Sequence, residues 1–233
     1  MRLAFCDTET YSDVDISAGT DRYTRSATCL IVTYALDTGP VKIWQPWCDP
    51  IPPADLMAAV NDPSVLFVAH NSAFDRLVFL RCLHISIPVA RWRCTMAGAS
   101  AHGLPGSLES LGNVCGLTAE EGKLVDDKSL IQTFCCPQGT GVRVLPTDKP
   151  DDWQRFCAYA IRDTEALRTI FNRMPQVNYA GVNLRSWMLD QLINERGFGF
   201  DVKLAQAASE FLDRARAMYD EADMVVGHNI RRY

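Results

Sequence analysis

Short runs of apolar, β-branched and aromatic residues alternate with turn-prone stretches through the first third of the chain. This pattern predicts strands at 2 to 6 (RLAFC), 28 to 36 (TCLIVTYAL) and 41 to 47 (VKIWQPW). The brief connection DTGP between the last two suits an antiparallel pair. PADLMAAV (53 to 60) then shifts to a helical period, and SVLFVAH (64 to 70) reads as a buried strand. Strand, helix, strand and helix in that order imply a parallel pairing through a right-handed crossover. The expected class is therefore α/β, with a mixed central sheet of three antiparallel strands plus parallel ones, flanked by helices.

From Ala73 to about Leu83, Phe74, Leu77, Val78 and Leu80 recur at helical spacing. SLESLGNVC (107 to 115) repeats the pattern, with Ser107 as N-cap and Gly116 just past the end. PQGTGVRVLPTDKP (137 to 150) is rich in Gly and Pro and is expected to be an exposed loop. A long helix over about 151 to 173 follows, then a helix at 184 to 195, a turn at RGFGFD and an amphipathic helix from about 202 to 224. The organisation expected is a first domain over 1 to 175 and a C-terminal helical extension over 176 to 233.

Composition narrows this only a little. With 48% hydrophobic residues in 233, a packed core is expected and global disorder is not. The net charge of −5 argues against a chain built mainly to coat nucleic acid, although carboxylates that hold cations count as negative while presenting positive charge. Nine scattered cysteines include no C-x-x-C pair, so a zinc ribbon or a thioredoxin-type site is not expected. Without a signal peptide they read as reduced, mostly buried thiols in a cytoplasm. No apolar run reaches membrane-spanning length, and no membrane partner is expected.

Acidic residues within apolar surroundings carry the chemistry. The first strand is expected to end in Asp7-Thr8-Glu9, whose two carboxylates project from one face with Thr8 opposite, a hard-oxygen claw of the kind Mg²⁺ or Mn²⁺ prefers. In VAHNSAFD (68 to 75), the strand should turn at His70 and Asn71 and place Asp75 in the first turn of the next helix, where the helix dipole would keep it ionised. His70 reads as a satisfied loop histidine. Along the helix 151 to 173, Phe156, Tyr159, Asp163, Leu167 and Ile170 fall on one stripe, so Asp163 is aimed into the core with Tyr159 one turn before it. No arginine or lysine shares that stripe, and an unpaired buried carboxylate costs several kcal/mol or more. Four carboxylates from three segments, brought within about 4 to 6 Å, would repel by several kcal/mol per pair at an effective dielectric near 20, which divalent cations would relieve.

Asp-x-Glu (DTE, 7 to 9), Asn-x-x-Phe-Asp (NSAFD, 71 to 75) and Tyr-x-x-x-Asp (YAIRD, 159 to 163) together resemble the three exonuclease motifs of the DEDD, or DnaQ-like, superfamily. Tyr159 points to its tyrosine branch, and order and spacing resemble the proofreading domain of phage family A DNA polymerases. The segments RCTMAGA, LPGSLESLG, SLIQTFCCP and WMLDQLINERGFGFDVKLAQAA are similar to connecting segments of that group, the last leading there into the polymerase region.

The resemblance implies a ribonuclease H-like fold and a metal-dependent 3′-to-5′ exonuclease that releases nucleoside 5′-monophosphates from single-stranded or frayed 3′ ends of DNA. Asp7, Glu9 and Asp163 would hold one Mg²⁺ or Mn²⁺, and Asp7 would bridge to a second that Asp75 supports mainly through water. Tyr159 would orient the attacking water. Thr8 and Glu9 would meet the terminal 3′ hydroxyl, and Asn71 and Phe74 would line the last nucleotide. Arg91, Arg93, Lys123, Lys128, Lys149 and Arg162 are the residues that could steer the strand. Because the chain stops at Tyr233, no polymerase activity of its own is expected, and absent polymerase segments are candidate partners. The alternatives are an exoribonuclease of the same superfamily and a catalytically silent nucleic-acid-binding module.

Overall fold

The computed structural model describes residues 2–118, 128–139, 142–197 and 199–230. Five strands, β1 (Arg2–Tyr11), β2 (Thr28–Leu36), β3 (Lys42–Trp44), β4 (Val65–Ala69) and β5 (Trp92–Cys94), form one sheet in the order β3-β2-β1-β4-β5. β1 pairs antiparallel with β2, and β2 with β3, whereas β1 with β4 and β4 with β5 are parallel. This is the mixed α/β sheet expected from the pattern, with β5 as an addition.

Two differences concern β1. It does not end at Cys6 but continues to Tyr11, so Asp7 and Glu9 lie within the strand rather than at its tip. The partner explains the extension: β2 stays paired along the whole length, down to Tyr11 with Thr28. The register passes from Glu9 opposite Ile31 to Thr10 opposite Cys29, which leaves Leu30 as the extra residue of a β-bulge beside the acidic pair. Consistent with that, the neighbours Leu30 and Ile31 are both buried in the same cluster.

Both faces of the sheet are covered, which is why its strands read as nearly continuous apolar runs. Ala4 and Cys6 face one side, packed with Phe67, Ala69, Leu56 of α2 (Ala54–Asn61), and Val78 and Phe79 of α3 (Ser72–Arg81). Phe5 and Tyr11 face the other side, against α7 (Pro150–Arg173), where Phe156, Tyr159 and Leu167 are buried. α7 is the long helix of the periodicity, begun by Pro150 in its first turn, and all five residues of the expected stripe are buried.

Three helices fall outside the expected pattern or only at its edges. α1 (Thr20–Ser26) is mostly polar, α4 (Thr95–Ala101) is made of small residues, and α6 (Lys128–Cys135) lies in the segment SLIQTFC. α5 (Leu108–Val114) is the expected one, with Ser107 accepting from the Ser110 amide and Gly116 in the left-handed region.

The chain divides into two compact units, Met1–Glu195 and Arg196–Tyr233. α8 (Gly181–Arg196) is held into the first unit up to Glu195. Trp187 packs against the core and edge-on to Tyr179, and Arg76 Nη1 lies 2.8 Å from Glu195 Oε2. The second unit is built on α9 (Val202–Ile230), on which Leu204, Phe211, Leu212 and Met218 are exposed. Among the described residues no helix is long and apolar enough to cross a membrane.

Candidate functional site

Because side chains alternate along β1, Asp7 and Glu9 project to the α7 side with Phe5 and Tyr11, and Thr8 projects to the α3 side with Ala4 and Cys6. The acidic set is therefore assembled across a strand. α7 presents Tyr159 and Asp163 from one face, and α3 presents Asp75 from the other. Thr8 Oγ1 donates to Asp75 Oδ1 at 2.8 Å, linking strand to helix.

Two observations bring these residues together electrostatically. Asp75 is 2% exposed, and its carboxyl is held well above the usual range, first by burial and next by the charge of Asp7. Burial and a like charge thus oppose the helix dipole that was expected to keep Asp75 ionised, and they raise its carboxyl even with Thr8 hydrogen-bonded to it. The Tyr159 phenol is also pushed far above its ordinary value, first by burial and then by the charges of Asp163, Glu9 and Asp7, and its hydroxyl donates to Asp163. Asp7 thus acts on both helices, and Tyr159 senses three carboxylates at once. Among the described residues no group of three or more His, Cys, Asp or Glu side chains is arranged so that it could hold a metal ion as it stands.

Beside this acidic set lies a cleft of about 570 Å³. The residues assigned to the terminal nucleotide, Thr8, Glu9, Asn71 and Phe74, all line it. Asn71 sits in the left-handed region at φ 63°, a conformation Asn tolerates better than most residues, and serves as the backbone N-cap of α3.

Several lining residues escaped the sequence pattern. Tyr23 of α1 is hydrogen-bonded to Thr10 Oγ1 at 2.9 Å and lies 5.8 Å, ring to ring, from Phe74. Burial pushes its phenol up to about 12. Cys135 Sγ lies 3.9 Å from Glu9 Oε2, and Cys136 and Pro137 continue the wall. The only local signal was Gly19 before Thr20 and Asp21, a helix start without an apolar stripe to support it.

The steering residues separate by environment. Arg91 is structural: its guanidinium donates to the carbonyls of Ala59, Val60 and Val65. Arg93 donates to the carbonyls of Ala90 and Trp92, and Lys149 faces Asp152. Arg162 lies half-buried on α7. Lys123 falls outside the described residues, as does the side chain of Lys128. His70 is hydrogen-bonded to Thr95 Oγ1 and to the Gly106 carbonyl, the satisfied loop histidine expected.

The architecture is the ribonuclease H-like exonuclease fold. Brucella melitensis NrnC superposes with a TM-score of 0.52 at 13% identity, over 82% of this chain and 80% of that one. The catalytic core of RRP6 from Trypanosoma brucei superposes at 0.50 with 14% identity, over 82% and 45%. At such identities the likeness is one of fold. By sequence, the chain is 34% identical over 217 residues to a DNA polymerase of Bacillus phage SP02. That match takes in 89% of this chain and 33% of the polymerase, so the chain spans about a third of its relative's length. No family model matches the sequence. The phage relative is thus a likeness of sequence to part of a longer protein, and the solved structures are a likeness of fold.

Proposed function

We propose that this chain is a divalent-cation-dependent 3′-to-5′ exonuclease of the tyrosine branch, removing nucleoside 5′-monophosphates from single-stranded or frayed 3′ ends of DNA. The observation that carries this reading is Asp7 acting on Asp75 across β1 while Tyr159 meets Asp163, Glu9 and Asp7 on the other face. A sheet that brings like charges together in its interior is suited to cations.

Asp7, Glu9, Asp75 and Asp163 would hold those ions, Mg²⁺ or Mn²⁺, and the donor chemistry fits. All four offer hard carboxylate oxygens, and Asp75, raised first by burial and next by the charge of Asp7, is a carboxyl that a nearby cation would favour in its ionised form. An open arrangement also suits Mg²⁺, which keeps several waters and is commonly bound through one or two carboxylates plus substrate phosphate. When bound, such ions lower the pKa of water and offset charge on the departing 3′ oxygen.

The chain's own residues do the positioning. Tyr159, neutral at any physiological pH, orients the attacking water through its hydroxyl and is no base. Thr8 fixes Asp75, and Phe74, backed by the Tyr23 ring, offers an aromatic face to the last base. Unpaired ends enter at lower cost because less stacking is broken, which suits proofreading. The phage relative favours DNA and points to polymerase segments outside this sequence as partners.

The test is digestion of a 3′-mismatched DNA primer in Mg²⁺ or Mn²⁺, beside the same sequence in RNA. The wild-type protein is expected to shorten the DNA one nucleotide at a time. Asp163→Ala should lose at least about a thousandfold in rate, and Tyr159→Phe about ten- to a hundredfold. Undiminished digestion by Asp163→Ala would refute the assignment, and faster loss of the RNA would move the chain to the exoribonucleases.

A further inference from the structure

We infer that Arg143 grips a backbone phosphate of the strand threaded into the cleft, a contact that rests on the exonuclease reading above. Among the described residues the charged ones lining the cleft are Glu9, Asp13 and Asp15, with no lysine or arginine. A polyanion approaching that wall meets repulsion at every phosphate that bound ions do not neutralise. A cation at the rim is the missing complement.

Arg143 is placed there by backbone geometry. The cleft wall ends at Pro137, after which Gln138 and Val142 close a bridge through Gln138 N to Val142 O (2.9 Å) and Val142 N to Gln138 O (3.1 Å). Arg143 follows directly, with its guanidinium carbon 4.7 Å above the Tyr11 ring. Tyr11 in turn donates its hydroxyl to Asp13 Oδ1 at 2.7 Å, and Asp13 belongs to the wall. The aromatic face thus holds the guanidinium by a cation–π contact, one hydrogen bond away from a residue of the cleft wall.

Among the described residues its hydrogen-bonding capacity is unspent. Arg143 makes no ion pair or hydrogen bond to any described residue, and its buried Nε has no partner. This separates it from Arg91 and Arg93, which are spent on carbonyls, and from Arg155, which pairs with Asp152. A planar, pre-oriented guanidinium with free N–H groups matches two phosphate oxygens at once. The ligand is therefore an internal phosphodiester, one or more linkages in from the cleaved end.

Two substrates isolate the contact in Mn²⁺. The 5′-p-nitrophenyl ester of thymidine monophosphate has only the scissile phosphodiester, which water splits to thymidine monophosphate and p-nitrophenol, whereas a ten-residue oligothymidylate also offers internal phosphates. Arg143→Ala should raise KM for the oligonucleotide about tenfold with kcat nearly unchanged, and leave both constants for the ester unaltered. Arg143→Lys should recover part of the loss. In the wild type, a methylphosphonate at one internal linkage should weaken the oligonucleotide by a similar factor, and should add nothing to the defect of Arg143→Ala. A defect shared equally by both substrates makes Arg143 a packing residue and overturns the contact, as does an unchanged oligonucleotide KM. A wild-type protein that cleaves neither substrate overturns the exonuclease reading and the contact with it.

Discussion

Asp75 is where stability and chemistry pull in opposite directions. An acid whose folded-state value lies above its unfolded one, near 4, binds more protons folded than unfolded across the interval between them. Stability conferred by the neutral carboxyl is complete below the unfolded value and is lost as pH rises toward the folded one. In EDTA, Asp75→Asn should therefore melt about 3 °C above wild type at pH 8, with the gap closing toward pH 4. Calorimetry across a pH series measures this, and parallel curves for the two proteins would remove Asp75 as the titrating group. Mn²⁺ should raise the melting temperature of the wild type more than that of the variant, because a ligand of the folded state stabilises it by mass action. Chemically the site was visible as residue types at set spacings. That burial and the charge of Asp7 raise the Asp75 carboxyl was not, because dipole and desolvation act oppositely and the spacing carries neither the burial nor the neighbour.

At the scale of elements, long periodic segments were legible and short ones were not. α7 and the sheet's central strands carry enough repeats for their period to be read, whereas β5 has three residues and α4 no apolar stripe. These short pieces are held by particular contacts. Arg91 is an example: it stands just before β5, and its guanidinium satisfies carbonyls at the end of α2 and the start of β4. Arg91→Ala should cost about 2–4 kcal/mol in urea unfolding, since three carbonyls lose a charged donor at once. The oligonucleotide KM should stay at the wild-type value for the surviving fold. A weakened KM at unchanged stability would restore Arg91 to the strand-steering set. The bulge at Leu30 belongs to this scale too: both strands are plainly strand-like in sequence, yet a one-residue slip of register leaves no mark in either taken singly.

Over the whole molecule, the compact units assign α8 to the unit that carries the sheet and α9 to a unit of its own. A chain ending at Glu195 should keep its melting temperature within about 3 °C of the full protein. One ending at Pro175 should lose at least about 10 °C, because it removes Trp187 and also Tyr179, whose buried hydroxyl accepts from the Cys94 amide. Thermal melts of the two truncations check this, and equal losses would put the boundary back near 175. The sequence by itself determined the central strands and pairing senses that make a mixed sheet, the stripe that buries Tyr159 and Asp163, and which acidic residues are the candidates for the site. Those follow from periods and spacings, which act within one element. Only the tertiary structure decided that Asp163 and Asp75 reach β1 from opposite faces, that Thr8 bonds a residue 67 positions away, and that Tyr23 lines the cleft beside Thr8 and Glu9. Such meetings depend on how separate elements pack, and a spacing along the chain has no information about distance across it.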